Sequence, residues 1–122
     1  MDREIKFRGK RSTNGEWLYG DLMNDNIGGC YIYPIDSENL FKKNAVIPDT
    51  VGQYTGVKDS NGVEIYEGDI VVVSSYRHEK KYEVKWYGGG FHYGEMYPLS
   101  YPCGNVKVVG NIHNEVLKSD KR

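Results

Sequence analysis

The stretch that decides the fold reads YTGVKDSNGVEIYEGDI over residues 54–70, and an earlier stretch over residues 7–22, FRGKRSTNGEWLYGDL, resembles it. A shift of 47 positions (54 minus 7) aligns the two copies, with one residue, Glu67, inserted in the second. In each copy a polar loop ends in Asn-Gly and a short apolar run leads to Gly-Asp-aliphatic. Asn-Gly between apolar residues predicts a β-hairpin. We therefore expect two hairpins of similar design, from either an internal duplication or the recurrence of common turn chemistry.

The shared positions carry the residue types that turns and cores require. Glycine accepts positive φ, aspartate can bind backbone amides, and aromatic side chains can fill a core. Asp21 and Asp69 occupy matching positions, and we interpret both as turn-stabilising residues in preference to a catalytic carboxylate pair. The full structural signature is Gly20, Asp21, Tyr54, Gly56, Gly62, Tyr66, Gly68 and Asp69.

The rest of the chain is also typical of β-structure. Short alternating segments are separated by turn residues, and 11 Tyr and 15 Gly suit pleated surfaces and turns. The prediction is a mainly β chain with a small SH3-like barrel in its C-terminal half and an N-terminal β-hairpin region packed on it. At most one or two short helices are expected, at 36–44 and at 114–118. The corresponding division is residues 1–50, residues 51–118 and a tail at 119–122.

Composition restricts the classes of function. With 16 basic and 17 acidic residues, the chain has no long-range field that would draw it to DNA or to an anionic membrane. Basic clusters at residues 6–11 and 77–81 are interpreted as solvated strand edges and loops. No apolar run approaches the length of a membrane span. Cys30 and Cys103 have no metal-site spacing and no secretion signal precedes them, which predicts free thiols in a reducing cytoplasm.

Motifs for catalysis, metals and cofactors do not emerge. His78, His92 and His113 lack metal-ligand spacing, and the sequence contains no GxSxG nucleophile motif. The Gly88-Gly89-Gly90 run has neither the lysine nor the following helix of a phosphate loop, and it predicts a turn or bulge. We therefore expect no catalytic residue, no metal and no cofactor.

Aromatic residues in the last third of the chain have two interpretations: half fill the core while the rest are strand-surface tyrosines, which we favour, or they form a binding surface. Exposed aromatic side chains on small β-domains bind peptides or stack on bases, and basic residues accompany them here. The candidate binding residues are Trp86, Tyr87, Phe91, His92, Tyr93, Arg77 and Lys85.

Four segments resemble the YopX-type family of small phage and prophage proteins: REIKFRGK, GEWLYGDL, VGQYTGVKDSNGVEIYEGDIV and VVGNIHNE, at residues 3–10, 15–22, 51–71 and 108–115. The resemblance implies a mainly β protein with a barrel-like C-terminal part. It also implies an origin in a phage or prophage and a place in the cytoplasm of the bacterial host. The family has no established activity, so the resemblance transfers no catalytic residues.

Three function hypotheses follow. The first is a non-enzymatic phage accessory protein that binds a protein partner or self-associates as a homo-oligomer. The second is a nucleic-acid-binding module that uses the aromatic and basic segment 76–93. The third is a small-ligand binder or enzyme with a cleft between the two repeats, which would require Asp21, Asp69 or His92 to line that cleft.

Overall fold

The computed structural model describes residues 4–34, 43–75, 78–93, 97–99 and 105–114. These residues are mainly β, as predicted, and their strands form two antiparallel sheets. The strands are β1 (Phe7–Lys10), β2 (Trp17–Asn24), β3 (Cys30–Pro34), β4 (Asn44–Val46), β5 (Gly52–Lys58), β6 (Glu64–Tyr66), β7 (Asp69–Ser75), β8 (His78–Tyr87), β9 (Gly90–Tyr93), β10 (Tyr97–Pro98) and β11 (Asn105–Asn111), with one 3-10 turn at Pro48–Thr50.

The expected helices lie mostly outside the described residues. Residues 36–42 of the first, residues 115–118 of the second and the tail at 119–122 are not described. Asn44, the expected last residue of the first helix, is the first residue of β4 and belongs to a strand.

The first compact unit, Met1–Tyr54, is an antiparallel sheet in the order β4-β3-β2-β1-β5. Phe7 pairs with Gly20, and Leu22 pairs with Ile32, so these residues share one face of the sheet. Ile32 is fully buried on that face and Val46 nearly so. This face is therefore the core of the first unit.

β4 also reaches the end of β1. Arg11 forms an isolated antiparallel bridge with Val46, and the Ile47 N–H donates to the Lys10 carbonyl (2.9 Å). Gly9 makes this approach feasible, because a Cβ there would lie 3.1 Å from the Val46 side chain. The sheet of the first unit is thus strongly curled.

The second compact unit, Thr55–Arg122, contains the end of β5, β6 and a five-stranded sheet in the order β10-β9-β8-β7-β11. β7 lies between β8 and β11, and β8 and β9 form a hairpin. One hydrophobic cluster fills the core of this unit: Ile65, Val71, Val73, Val84, Tyr93, Leu99 and Val106.

The described strands of the second unit do not close a barrel, which corrects that part of the prediction. β11 pairs with β7 on one side, and on the other its amides bind side chains of the loop after β5. The Val106 N–H donates to Ser60 Oγ (3.1 Å) and the Val108 N–H to Asp59 Oδ2 (2.9 Å). The Ser60 N–H also donates to the Val106 carbonyl (2.9 Å), so the loop after β5 covers this edge of β11.

Both predicted Asn-Gly hairpin turns are confirmed. Gly15 and Gly62 have φ of 74° and 85°, the left-handed region that glycine adopts at no steric cost. The inserted Glu67 marks where the copies diverge. In the first copy β2 runs straight through Gly20-Asp21, whereas in the second β6 ends at Tyr66 and β7 starts at Asp69, after a turn in which Gly68 has φ 93°.

Candidate binding surface on the β8–β9 hairpin

The candidate binding residues converge on the hairpin formed by β8 and β9. Trp86 pairs with Phe91, Lys85 with His92, and Tyr87 with Gly90. The loop consists of Gly88 and Gly89, whose φ values of 60° and 91° are those that a type I′ hairpin turn requires. The glycine run is therefore a hairpin turn, as predicted.

One face of the hairpin continues from the core of the second unit to the tip. Val84 and Tyr93 lie opposite each other and are buried, and the Tyr93 ring packs against Tyr82 with centroids 5.3 Å apart. Beyond them the Trp86 and Phe91 rings meet edge to face, 4.9 Å apart at 80°. Trp86 is 56% exposed, although it lies on the same face of β8 as the buried Val84. The core ends before the hairpin does, and this leaves the Trp86 indole in solvent.

The opposite face carries the remaining polar candidates. The Tyr87 and His92 rings also meet edge to face, with centroids 5.9 Å apart at 90°. Tyr87 is 51% exposed, and His92 Nδ1 lies 3.1 Å from the Gly90 carbonyl oxygen. Lys85 stands opposite His92 on this face. The tip therefore presents one exposed aromatic side chain on each side, each in contact with a ring on the neighbouring strand.

The structure brings most but not all of the candidates together. Trp86, Tyr87, Phe91, His92 and Lys85 lie in the outer part of the hairpin, divided between its two faces. Tyr93 is only 1% exposed and is a core residue, so it is not part of the surface. Arg77 lies outside the described residues.

The matching aspartates have different environments. Asp69 is buried, and its Oδ2 accepts the N–H of Tyr66 (2.7 Å) across the turn that Gly68 makes. Asp21 is exposed in the middle of β2, opposite Tyr33, and does not lie in a turn. The expected turn role thus describes the position of Asp69 and does not describe that of Asp21.

The basic cluster at residues 6–11 is not a solvated edge. Arg8 is 6% exposed, and its guanidinium carbon lies 4.8 Å from the centroid of the Trp17 ring. The Lys10 ammonium approaches the same ring at 5.5 Å. Arg8 and Lys10 alternate along β1 and lie on the face of the sheet that also carries Trp17 of β2. Their spacing in the sequence indicates this contact, since residues on one face of paired strands become neighbours.

Asp59 stabilises the second Asn-Gly turn and also binds the edge of β11. Its Oδ1 accepts the amides of Asn61 (2.8 Å) and Val63 (2.9 Å), and its Oδ2 accepts that of Val108. Burial by itself would raise the pKa of Asp59, but these three hydrogen bonds and the charge of Lys107 lower it below its ordinary value. The hydrogen bonds to Asn61 and Val63 could be predicted from the sequence, because an Asp two residues before Asn-Gly predicts an Asx-type turn. The contact with Val108 joins positions 49 apart and has no local signal.

A second aspartate organises the loop between β2 and β3. Asp25 Oδ1 accepts the Gly29 amide (2.7 Å) and the Ile27 amide (3.0 Å), and Oδ2 accepts the Tyr31 hydroxyl (3.1 Å). The two amides, together with that hydroxyl and Lys43, lower the pKa of Asp25. The hydrogen bond to Asp25 in turn raises the pKa of Tyr31. These hydrogen bonds fix the shape of the loop, and Ile27 is 90% exposed at its apex.

Within the described ranges, no group of three or more His, Cys, Asp or Glu side chains is placed to hold a metal ion. The same part of the chain contains no helix long and apolar enough to span a membrane.

A solved structure and a family model both match this chain. The crystal structure of protein EF1440 from Enterococcus faecalis matches with a TM-score of 0.59 and 27% sequence identity, and the match covers 94% of this chain and 97% of that one. Comparison with curated proteins returned no match. The model of the family described as YopX protein matches residues 6–117, which confirms the resemblance noted in the sequence. The chain therefore belongs to the YopX protein family.

Proposed function

We propose that this chain is a binding module that engages a protein partner through the tip of the β8–β9 hairpin. The observation that carries the proposal is the exposure of two aromatic side chains that are consecutive in sequence and lie on opposite faces of the tip, Trp86 at 56% and Tyr87 at 51%. Tryptophan and tyrosine are the residues most enriched among those that dominate binding energy at protein interfaces. Because each ring already packs against a ring across the hairpin, ordering it on binding costs little side-chain entropy.

Charge favours a protein over a nucleic acid as the partner. The chain has a net charge of -1, and on β8 the lysines at 81 and 85 alternate with the acidic residues Glu79 and Glu83. Nucleic-acid binding draws most of its affinity from phosphate contacts, which acidic neighbours oppose. The nucleic-acid hypothesis for segment 76–93 is therefore the second candidate. Tyr87 and His92 on the same face as Lys85 are the feature in its favour.

We further infer the biological setting and the finer fold. Membership of the family supports an origin in a phage or prophage, and the free thiol of Cys30 suits the reducing cytoplasm of a bacterial host. The shared Asn-Gly turns support an internal duplication. The meander β7-β8-β9 with β11 returning beside β7 supports an SH3-like arrangement of strands.

Site-specific photo-crosslinking tests the proposed function. A benzophenone amino acid replaces Trp86 or Tyr87 in the chain expressed in bacterial cells, and Val63 or Val109 in the controls, which are 48% and 49% exposed. We expect protein adducts at 86 and 87 that are much stronger than those at 63 and 109. Adduct mass distinguishes a second copy of the chain from another protein, and either result supports the proposal.

Two outcomes would contradict it. Adducts of equal strength at all four positions would show that exposure alone governs the reaction. If nuclease treatment shortens the adducts at 86 and 87, the partner is a nucleic acid and not a protein. In that case the binding should also fall steeply as salt is added.

A further inference from the structure

The sheet of the first unit has an aromatic face, opposite to the face that forms its core. Directly paired residues of antiparallel strands lie on the same face, and successive residues of one strand alternate between the two faces. The register therefore assigns these residues to the aromatic face: Arg8 and Lys10 of β1, Trp17, Tyr19, Asp21 and Met23 of β2, Tyr31 and Tyr33 of β3, and Ala45 of β4.

The middle of the aromatic face is in contact with solvent. β2 lies between β1 and β3, and its residues Tyr19 and Asp21 are exposed, Tyr19 at 43%. Trp17 and Tyr33 on the same face are only partly buried. A sheet face that contacts water usually carries polar residues, and a group of accessible apolar side chains marks an interaction site. The aromatic residues at these positions therefore point to a ligand.

Charge is distributed unevenly along this face. At one end the Arg8 guanidinium carbon and the Lys10 ammonium lie 4.8 Å and 5.5 Å from the centroid of the Trp17 ring. A ring does not neutralise a cation that it contacts, so this end is positive. Towards the other end lies the exposed carboxylate of Asp21. An anionic ligand should therefore bind at the end that Lys10 and Trp17 form.

A single-stranded nucleic acid fits this combination of groups. Its phosphates bind cations and its bases stack on aromatic side chains, and sites for single strands combine both features. The exposed ring of Tyr19 lies directly opposite Arg8, so a base and a phosphate of one strand could be held side by side. A duplex keeps its bases stacked inside and presents no free ring to Tyr19.

We propose that the aromatic face binds single-stranded nucleic acid, with phosphates at Arg8 and Lys10 and a base on the Tyr19 ring. All of these residues belong to the first unit, whereas the hairpin tip belongs to the second, so the inference does not rest on the proposed protein partner. Two phosphate contacts predict a modest salt dependence, with a slope of about -1.4 in log affinity against log salt concentration.

Fluorescence anisotropy of a labelled oligothymidylate of about 12 nucleotides, titrated with the full chain at low salt, tests the proposal. We expect saturable binding that unlabelled oligothymidylate competes away. The same sequence in a duplex, and inorganic polyphosphate of the same length, should compete about tenfold less well because neither offers a free base. No binding, or equal competition by polyphosphate and by the single strand, would overturn the proposal.

The two tryptophans locate the binding site, because each unit contains one of them. In the Trp86→Phe variant Trp17 is the only tryptophan, and saturating oligothymidylate should quench its fluorescence by stacking or contact on the aromatic face. In the Trp17→Phe variant the remaining Trp86 should keep its fluorescence. Quenching of Trp86 without quenching of Trp17 would assign the nucleic acid to the β8–β9 hairpin and would contradict the inference.

Variants separate stacking from charge. Tyr19→Ala replaces an exposed side chain, so the fold should be retained, and it should weaken oligothymidylate binding about tenfold, whereas Tyr19→Phe keeps the ring and the affinity. Lys10→Gln should reduce the salt slope by about 0.7. Val109→Ala and Lys81→Gln, at exposed positions of the second unit, are the matched controls and should change neither quantity. Unchanged binding by Tyr19→Ala would overturn the proposal.

Discussion

Asp59 joins the loop after β5 to the edge of β11, and its removal should destabilise the second unit. Asp59→Ala leaves the partly buried amides of Val63 and Val108 without this acceptor. Hydrogen bonds to a charged group contribute about 1.5–3 kcal/mol each, so we expect the free energy of unfolding to fall by roughly 2–4 kcal/mol. Urea denaturation measures the change. Asp49→Ala, at an exposed aspartate, is the control, and an equal effect of the two substitutions would contradict the role of Asp59.

The same residue predicts a pH dependence of stability. The folded-state pKa of Asp59 lies below its unfolded value, so its contribution is fully present above about pH 4 and is lost as the pH falls through the folded pKa. Asp59→Asn removes this titration. The difference in urea midpoint between the natural chain and the variant should therefore be largest near pH 7 and shrink in acid. A difference that is constant from pH 7 to pH 2.5 would show that the carboxylate charge contributes nothing.

Gly20 predicts a steric effect of a single methyl group. A Cβ at this position would collide with the backbone carbonyl of Tyr33, and backbone cannot move aside as a side chain can. Gly20→Ala should thus force β2 and β3 apart and lower the free energy of unfolding by about 1–3 kcal/mol. In Gly90→Ala, the control, the new methyl meets only His92 Cε1, at 3.9 Å. Thermal unfolding compares the two variants, and a midpoint for Gly20→Ala no lower than that for Gly90→Ala would refute the prediction.

These residues show why the repeat was easier to detect than to interpret. Gly20 and Gly68 align in sequence, but the first permits a close backbone approach while the second adopts positive φ in a turn. Asp21 and Asp69 align as well, yet one is exposed and the other buried. Local sequence specifies the turn residue types. It does not specify which backbone from a distant strand arrives beside them.

At the scale of the element, the β8–β9 hairpin depends on its two-residue loop. Gly88 and Gly89 both have positive φ, which costs an L-residue such as alanine about 1–2 kcal/mol. Gly89→Ala should therefore loosen the hairpin, whereas Gly88→Asn should be tolerated because Asn-Gly suits this turn. Hydrogen exchange of the β9 amides measures the effect. Equal exchange in the two variants would show that the turn does not control the hairpin.

Strand position and alternation were predictable for most elements. The segment at 81–87 alternates clearly and lies within β8, and on β11 the alternation of residues leaves Val106 buried and Val109 exposed. Trp86 is the exception, because alternation gives the face on which a side chain lies and not how far the core extends along it. The candidate surface was therefore located in sequence, but its division between two faces required the register of β8 and β9.

At the scale of the whole chain, the mainly β class and the family follow from sequence, whereas closure does not. Turn chemistry and alternation are local, and both predict strands. Whether a sheet closes depends on which strand meets each edge, and at β11 the loop residues Asp59 and Ser60 occupy that edge. A cavity beside Leu99 is likewise formed by residues from distant parts of the chain, and no local pattern could predict it.

Each compact unit contains one of the two tryptophans, Trp17 in the first and Trp86 in the second, so fluorescence quenching examines both environments. Trp86→Phe leaves Trp17 as the reporter, and Trp17→Phe leaves Trp86. Neutral acrylamide should quench Trp86 more strongly, since its side chain is the more exposed. Relative to acrylamide, iodide should quench Trp17 more strongly and caesium should quench it less strongly, because the cations of Arg8 and Lys10 lie over its ring. Identical iodide-to-caesium ratios for the two reporters would show that the cations do not cover Trp17 in solution.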